Sequence, residues 1–317
     1  MRLSNCCTNN ILRIKPNIFP LATIFAFLFS SPSLADQAES FAQPEEYPRF
    51  RKTFSEAYWF YEAPASFRAP DYAPDGARVT VNEFRARTGF PFYRDQSFLA
   101  TVGARVQWDQ FFFSGIPFEN IDTWNIGIPL FVSWKIDESW RIAAGFTPGI
   151  YSDLERISWK DFGAAGNLFA AYSWAPGQSV SGGLVYSRIF GEERLFPALG
   201  LVLHPGKDWE LRLIFPQPAI RYSPVPGFNL VAGMTPAGGQ WNITNPIDED
   251  GAECDFTFKG YRAGVGVELA LGRHLVLSLD GGFSFERDYE VENENEDILD
   301  TRANETFGFR VGLLLVR

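Results

Sequence analysis

The chain has 317 residues, with 28 Lys and Arg against 38 Asp and Glu, a formal charge of −10, and 31 Phe, 11 Tyr and 9 Trp. That balance argues against nucleic acid as a partner, because neutralising a phosphate backbone needs a basic patch. Beyond residue 35 only Cys254 remains, which excludes an intramolecular disulfide and a cysteine metal centre in the exported chain.

Residues 1–35 read as an export signal. Arg2, Arg13 and Lys15 form a basic start, Ile18–Phe29 is apolar, and Ser33-Leu34-Ala35 is a small-residue cleavage site. The apolar run is shorter than the roughly 18 residues a spanning helix needs. Residues 36–77 read as a flexible N-terminal segment. Its first part is polar and proline-bearing, Phe54–Glu62 is compatible with one strand, and Ala63–Ala77 is expected to be a loop carrying Pro64, Pro70 and Pro74.

From Arg78 the alternation of apolar and polar residues becomes regular, as expected of strands with two differently solvated faces. Strands are predicted at Arg78–Gly89, Phe98–Phe112, Trp124–Lys135, Trp140–Tyr151, Asn167–Trp174, Ser179–Arg188, Leu195–His204, Trp209–Phe215, Phe228–Met234, Thr257–Ala270, His274–Arg287 and Phe307–Arg317. A short extra hairpin is placed around Gln217-Pro218, with Ala219–Tyr222 as its second arm. The hairpin Phe256–Arg287 shows the pattern best. Leu275, Leu277, Leu279, Phe283 and Phe285 share one face, and Ser278, Asp280, Ser284 and Glu286 the other. Each of its strands reaches the roughly 9–11 residues that cross a bilayer at a tilt.

The connections alternate in length. Ile136–Ser139, Ala175–Gln178, Pro205–Asp208 and Gly272–Arg273 are tight turns. Between them lie the longer Ser114–Asp122, Ser152–Gly166, Gly191–Arg194, Thr235–Phe256 and Asp288–Glu305. Short turns at one end and long loops at the other are the pattern of a membrane barrel. Trp134, Trp140, Trp174 and Trp209 flank the tight turns and form a candidate aromatic girdle, since an indole settles at the lipid–water boundary. Trp124, Tyr151, Tyr261, Phe285 and Phe307 fall toward the long-loop end.

The polar faces supply candidate lumen-lining residues: Arg105, Asp109, Lys135, Arg141, Arg212, Arg262, Glu268, Asp280 and Arg310. A mid-membrane Arg or Lys facing lipid costs about 2–4 kcal/mol, so these side chains are expected to point inward. Catalytic chemistry is not evident. His204 and His274, the two histidines, both fall beside tight turns, and the glycine-rich Gly163–Asn167 and Gly182–Gly191 precede no helical pattern. The acidic loops Asp248–Asp255 and Asp288–Asp300 lack the spacing of a calcium loop and read as solvated surface.

The export signal, alternating strands, tryptophan girdle and amphipathic last strand (Phe307, Phe309, Val311, Leu313, Leu315) resemble bacterial outer-membrane β-barrel proteins. The stretch from Val79 to Arg317, with DWELRLIFPQPAIRYSP at Asp208–Pro224, resembles a family of uncharacterised bacterial barrel proteins of unknown function. Many outer-membrane barrels end in an aromatic residue, and this chain ends Val316-Arg317.

The expectation is therefore an all-β, antiparallel, up-and-down transmembrane barrel of about 12 strands, within a range of 10–14, over residues 78–317. It is placed in the outer membrane of a Gram-negative-type bacterium after cleavage near Ala35, with membrane lipid, lipopolysaccharide and the barrel-assembly machinery as partners. No cofactor, metal or enzymatic activity is expected. The leading role is a passive channel or small-solute transport barrel. The alternative is a closed structural or surface-interaction barrel, with a barrel enzyme third.

Overall fold

The computed structural model describes residues 53–68, 76–116, 118–246, 252–293 and 297–316. The expected export signal and the segment 36–52 lie outside them. The described residues form sixteen β segments: β1 Thr53–Ser66, β2 Arg78–Arg94, β3 Phe98–Ser114, β4 Ile121–Gly127, β5 Leu130–Lys135, β6 Trp140–Ser152, β7 Phe162–Ala175, β8 Gln178–Ser187, β9 Arg194–Leu203, β10 Trp209–Ile214, β11 Ala219–Val225, β12 Phe228–Thr244, β13 Glu253–Ala270, β14 Leu275–Glu292, β15 Asp297–Ala303 and β16 Thr306–Val316. A short 3-10 turn, Trp159–Asp161, precedes β7.

Two pairs of segments each make one barrel strand. β4 and β5 both lie between β3 and β6, broken at Ile128-Pro129, where proline withholds a ladder donor. β15 and β16 both run along β14, broken at Asn304-Glu305. The wall therefore has 14 strands, and β1–β16 pairing closes it into a ring. This is two more than the central expectation of about 12 and stands at the upper end of the expected range of 10–14. The two further strands are β1, which pairs with β2 and β16 along nearly its whole length, and β11, the second arm of the hairpin at Gln217-Pro218.

The two faces of the wall differ as lipid and lumen demand. On β16, Phe307, Phe309, Val311 and Leu313 are each more than two-fifths exposed, and Ile126, Leu130, Val132 and Trp134 continue the belt on β4 and β5. So broad an apolar surface would drive aggregation in water but is matched by hydrocarbon. The intervening residues turn inward, and β1–β16 pairing leaves neither terminal strand with a free edge.

The inner face is not polar throughout. At the long-loop end Val79, Val81, Phe111, Ile121, Tyr151, Trp241, Phe256, Phe258, Tyr289, Val291 and Leu299 pack into one buried core. Phe111 is its hub, with ring centroids of Phe256 at 4.7 Å and Phe258 at 5.7 Å. A second apolar cluster lines β5 to β10 and includes Phe131, Phe169, Val185 and Val202.

The mouth closes because β12 leaves the wall. β11 pairs with β12 only as far as Ala219↔Gly233, whereas β12 continues beside β13 to Thr244. The upper β12–β13 hairpin leans across the barrel and meets the far side, where Asn242 bridges to Ser152 of β6. Asn242 Nδ2 donates to Asp161 at 2.8 Å, and the Thr244 amide donates to Asp153 at 2.6 Å. The β8–β9 loop also braces this lid. Arg188 Nη1 donates to the Gln240 carbonyl at 3.2 Å, and Phe190 packs among Phe196, Phe215 and Tyr261. The stretch Thr235–Phe256, expected as a loop, is thus mostly paired strand. Its Gly and Pro residues hide an alternation that places Ala237, Trp241 and Ile243 in the core.

A bulge resets β14. Glu286 has φ +50°, and the pairing with β13 slips between Lys259 and Tyr261. Arg287, Tyr289 and Val291 consequently face inward, while Glu286 faces out and pairs with Arg302 at 3.0 Å. This corrects the expected grouping of Glu286 with Ser284 and Asp280. Tyr151 is likewise not at the lipid boundary. It is buried in the lumen beneath Arg188, whose guanidinium carbon lies 4.5 Å from its ring centre.

Candidate functional site

Below the lid the barrel encloses a cavity of about 430 Å³. Strand register assembles its walls in rows. One row runs Glu56, Arg87, Arg105, Gly127, Gly149 and Gly163 across β1, β2, β3, β4, β6 and β7. A second runs Tyr58, Arg85, Gln107 and Asn125. On the opposite wall Gly233, Gly264, Gly282 and Gly308 lie side by side on β12, β13, β14 and β16. A Cβ on Gly282 would stand 2.2 Å from the Ala263 carbonyl oxygen, so this wall closes only with glycine there.

Among the described residues, eight arginines reach the cavity against three carboxylates, Glu56, Glu268 and Asp280. Further acids are buried behind them and tie strands together. Arg262 of β13 bonds Glu62 of β1 at 3.0 Å and Glu83 of β2 at 2.5 Å, with its guanidinium 3.8 Å over the Phe60 ring. Arg221 bridges Glu210 at 3.1 Å and Glu268 at 3.2 Å, and Arg310 meets Asp280 at 3.1 Å. Arg85 pairs with Glu83 at 2.9 Å, and Arg87 with Glu56 at 2.6 Å. Arginine suits these positions because it stays charged when desolvated and can serve two carboxylates at once.

The sequence-predicted residues divide by level. Arg105, Arg212, Arg262, Glu268, Asp280 and Arg310 line the cavity. Asp109 is buried beside it and accepts from Gln107 Nε2 at 2.7 Å. Lys135 and Arg141 sit opposite each other at the tight-turn end, away from the cavity, with Lys135 paired to Glu138 at 3.1 Å. Trp134, Trp140, Trp174 and Trp209 are all exposed on the outer face near those turns. Glu56, Glu62, Glu83, Arg85, Arg87, Arg188 and Arg221 were missed by sequence reasoning. A signal existed on β2, where Val79, Val81, Glu83, Arg85 and Arg87 share one parity that is apolar above and charged below. His204 and His274 are tied to the turn end through the carbonyls of Gly177 and Val316. Among the described residues no cluster of His, Cys, Asp or Glu is arranged to hold a metal.

A closed 14-stranded barrel, apolar outside and charged within, is the architecture of an outer-membrane β-barrel protein. The chain belongs to the family described as Domain of unknown function (DUF6268), whose model matches residues 120–311. No curated protein matches it. Solved structures similar to it are outer-membrane barrels. An outer membrane channel from Pseudomonas putida F1 is 13% identical, covering 86% of this chain and 99% of that one at a TM-score of 0.45. The β domain of the Bordetella autotransporter BrkA is 10% identical, covering 84% and 100% at 0.36. Outer membrane phospholipase A from Escherichia coli is 12% identical, covering 89% and 97% at 0.36.

Proposed function

We propose that this protein is an outer-membrane barrel that admits small solutes to a capped lumen, a passive route whose outer end is gated by the β12–β13 lid. The observation that carries this reading is the roughly 430 Å³ polar cavity directly below the β12–β13 lid, which meets β6 across the mouth through a single strand bridge and side-chain contacts. A cavity of this size holds a small metabolite and excludes a folded chain. The reading places the protein in the outer membrane of a Gram-negative-type bacterium, among lipid and lipopolysaccharide, after insertion by the barrel-assembly machinery.

A closed structural barrel is the second reading. Its support is the set of ion pairs spanning the lumen, above all Arg262 with Glu62 and Glu83. An enzymatic role ranks third, because the two histidines lie at the tight-turn end rather than beside the cavity.

Liposome swelling with solutes of graded size separates the first two, run beside heat-modified gel mobility to score folding. Swelling restricted to the smallest solutes supports a gated route. A folded barrel that gives no swelling with any solute supports the closed one.

A further inference from the structure

We infer that the lumen contains a binding site for a small solute bearing a carboxylate or phosphate group, seated on Arg105 where this residue lines the cavity. The inference rests on the small-solute reading above and names the chemical class that the cavity takes.

Three observations converge. The first is an imbalance confined to one arginine. The neighbouring cavity arginines each have a carboxylate, Glu83 for Arg85, Glu56 for Arg87 and Asp280 for Arg310. Arg105 has none among the described residues. Its Nη2 donates to Gln107 Oε1 at 3.1 Å, and its Nε is buried without a hydrogen-bond partner. Arginine does not discharge by losing its proton, so a half-buried guanidinium left this way favours an external anion.

The second observation is a like-charged neighbour. Arg87 stands directly opposite Arg105 across β2 and β3, so the potential at Arg105 is raised by a second cation. Gln107 spends its other end on Asp109, which lies further along the strand and turns no oxygen to Arg105.

The third is shape. Arg105 lines the roughly 430 Å³ cavity beside Arg87, Gln107 and Asn125, so the space at this cation is large enough for a small solute. The planar fork of a guanidinium matches carboxylate and phosphate oxygens.

The test is titration of the refolded mature chain in detergent micelles, with sodium phosphate in one arm and sodium succinate in the other, at ionic strength fixed with chloride. Calorimetry and the thermal unfolding midpoint are the readouts. The expected result is saturable binding of at least one probe, with a raised midpoint. Arg105→Gln should weaken that binding at least about tenfold, as loss of charge-assisted hydrogen bonds does. Without anion the same variant should unfold no earlier than the parent, because it removes an unpaired charge. Lys135→Gln, at the turn end, should leave affinity unchanged. The arm that saturates identifies the headgroup. Absence of saturation in both arms overturns the inference, as does equal affinity in Arg105→Gln or equal loss in Lys135→Gln. Binding is read here without transport. Swelling without binding therefore removes this site alone, and binding without swelling removes the transport reading alone.

Discussion

Glu62 of the first strand and Arg287 of β14 meet at 2.6 Å with neither side chain exposed, just where the charged cavity gives way to the apolar mouth. The same carboxylate accepts from Arg262 at 3.0 Å and from Ser284 at 2.8 Å, so one acid from β1 gathers β13 and β14. The contact exists only because the bulge at Glu286 turns Arg287 inward.

Removing one partner of a buried pair strands the other charge, a loss of about 3–5 kcal/mol. Arg287→Met and Glu62→Leu should each destabilise the folded barrel by this order, read as a lower denaturant midpoint. The double variant should recover a substantial part of the loss. Equal midpoints for single and double variants would show that the two charges do not depend on each other.

Gly282 packs tightly against the β13 backbone. A new Cβ would stand 2.2 Å from the Ala263 oxygen and 2.5 Å from the Gly264 Cα. Gly282→Val should therefore abolish the heat-modifiable folded form. At Gly206 nothing lies within 4 Å of the place a Cβ would occupy, so Gly206→Ala should leave the folded yield unchanged.

Cys254 lies in the lid, buried and opposite Ile243. Burial, with the Asp255 and Asp153 carboxylates adding to it, pushes its thiol up to about 12. At pH 8 almost no thiolate forms, and the thiolate is the reactive species. A maleimide should leave the folded chain unlabelled at that pH and label it fully once denatured. Rapid labelling of the folded barrel would mean that the lid opens freely.

Asp95 caps the β2–β3 turn by accepting from the amides of Ser97 at 2.7 Å and Phe98 at 2.6 Å. Those backbone donors hold its carboxyl below the usual range. A lowered folded value means that the contribution is present above the unfolded value, about 4, and is lost as pH falls through the folded one. Amide protection at Ser97 and Phe98 should therefore decline below about pH 4 relative to other turns. Asp95→Ala should show the low-pH behaviour at every pH.

Much of this fold was legible from period alone. The two-residue alternation that set Arg105, Arg262 and Arg310 apart from Val106, Ala263 and Val311 is the same alternation that divides lumen from lipid. Two physical effects hid the rest. Apolar residues on the inward parity, such as Val79, Phe111 and Phe256, form a core above the charged layer, so one face changes character along a single strand. The bulge at Glu286 shifts parity by one residue, and only the backbone reveals it. The lid escaped notice because strand composition does not report that β12 parts from β11 at Gly233. Nor could sequence reveal Arg105 as the cavity arginine with no carboxylate among the described residues, since that depends on which strands lie side by side.

A membrane barrel whose lid governs access to a cationic lumen should betray itself in its conductance. The decisive comparison is single-channel recording in planar bilayers of the full mature chain and of a variant with residues 241–256 replaced by an Asn-Gly turn. Both are first shown to be heat-modifiable on gels. The full chain should give brief, small openings and the variant steady, anion-selective steps, with the selectivity fading at high salt as screening shortens the field. Identical traces from the two, whether open or silent, would contradict a gating lid.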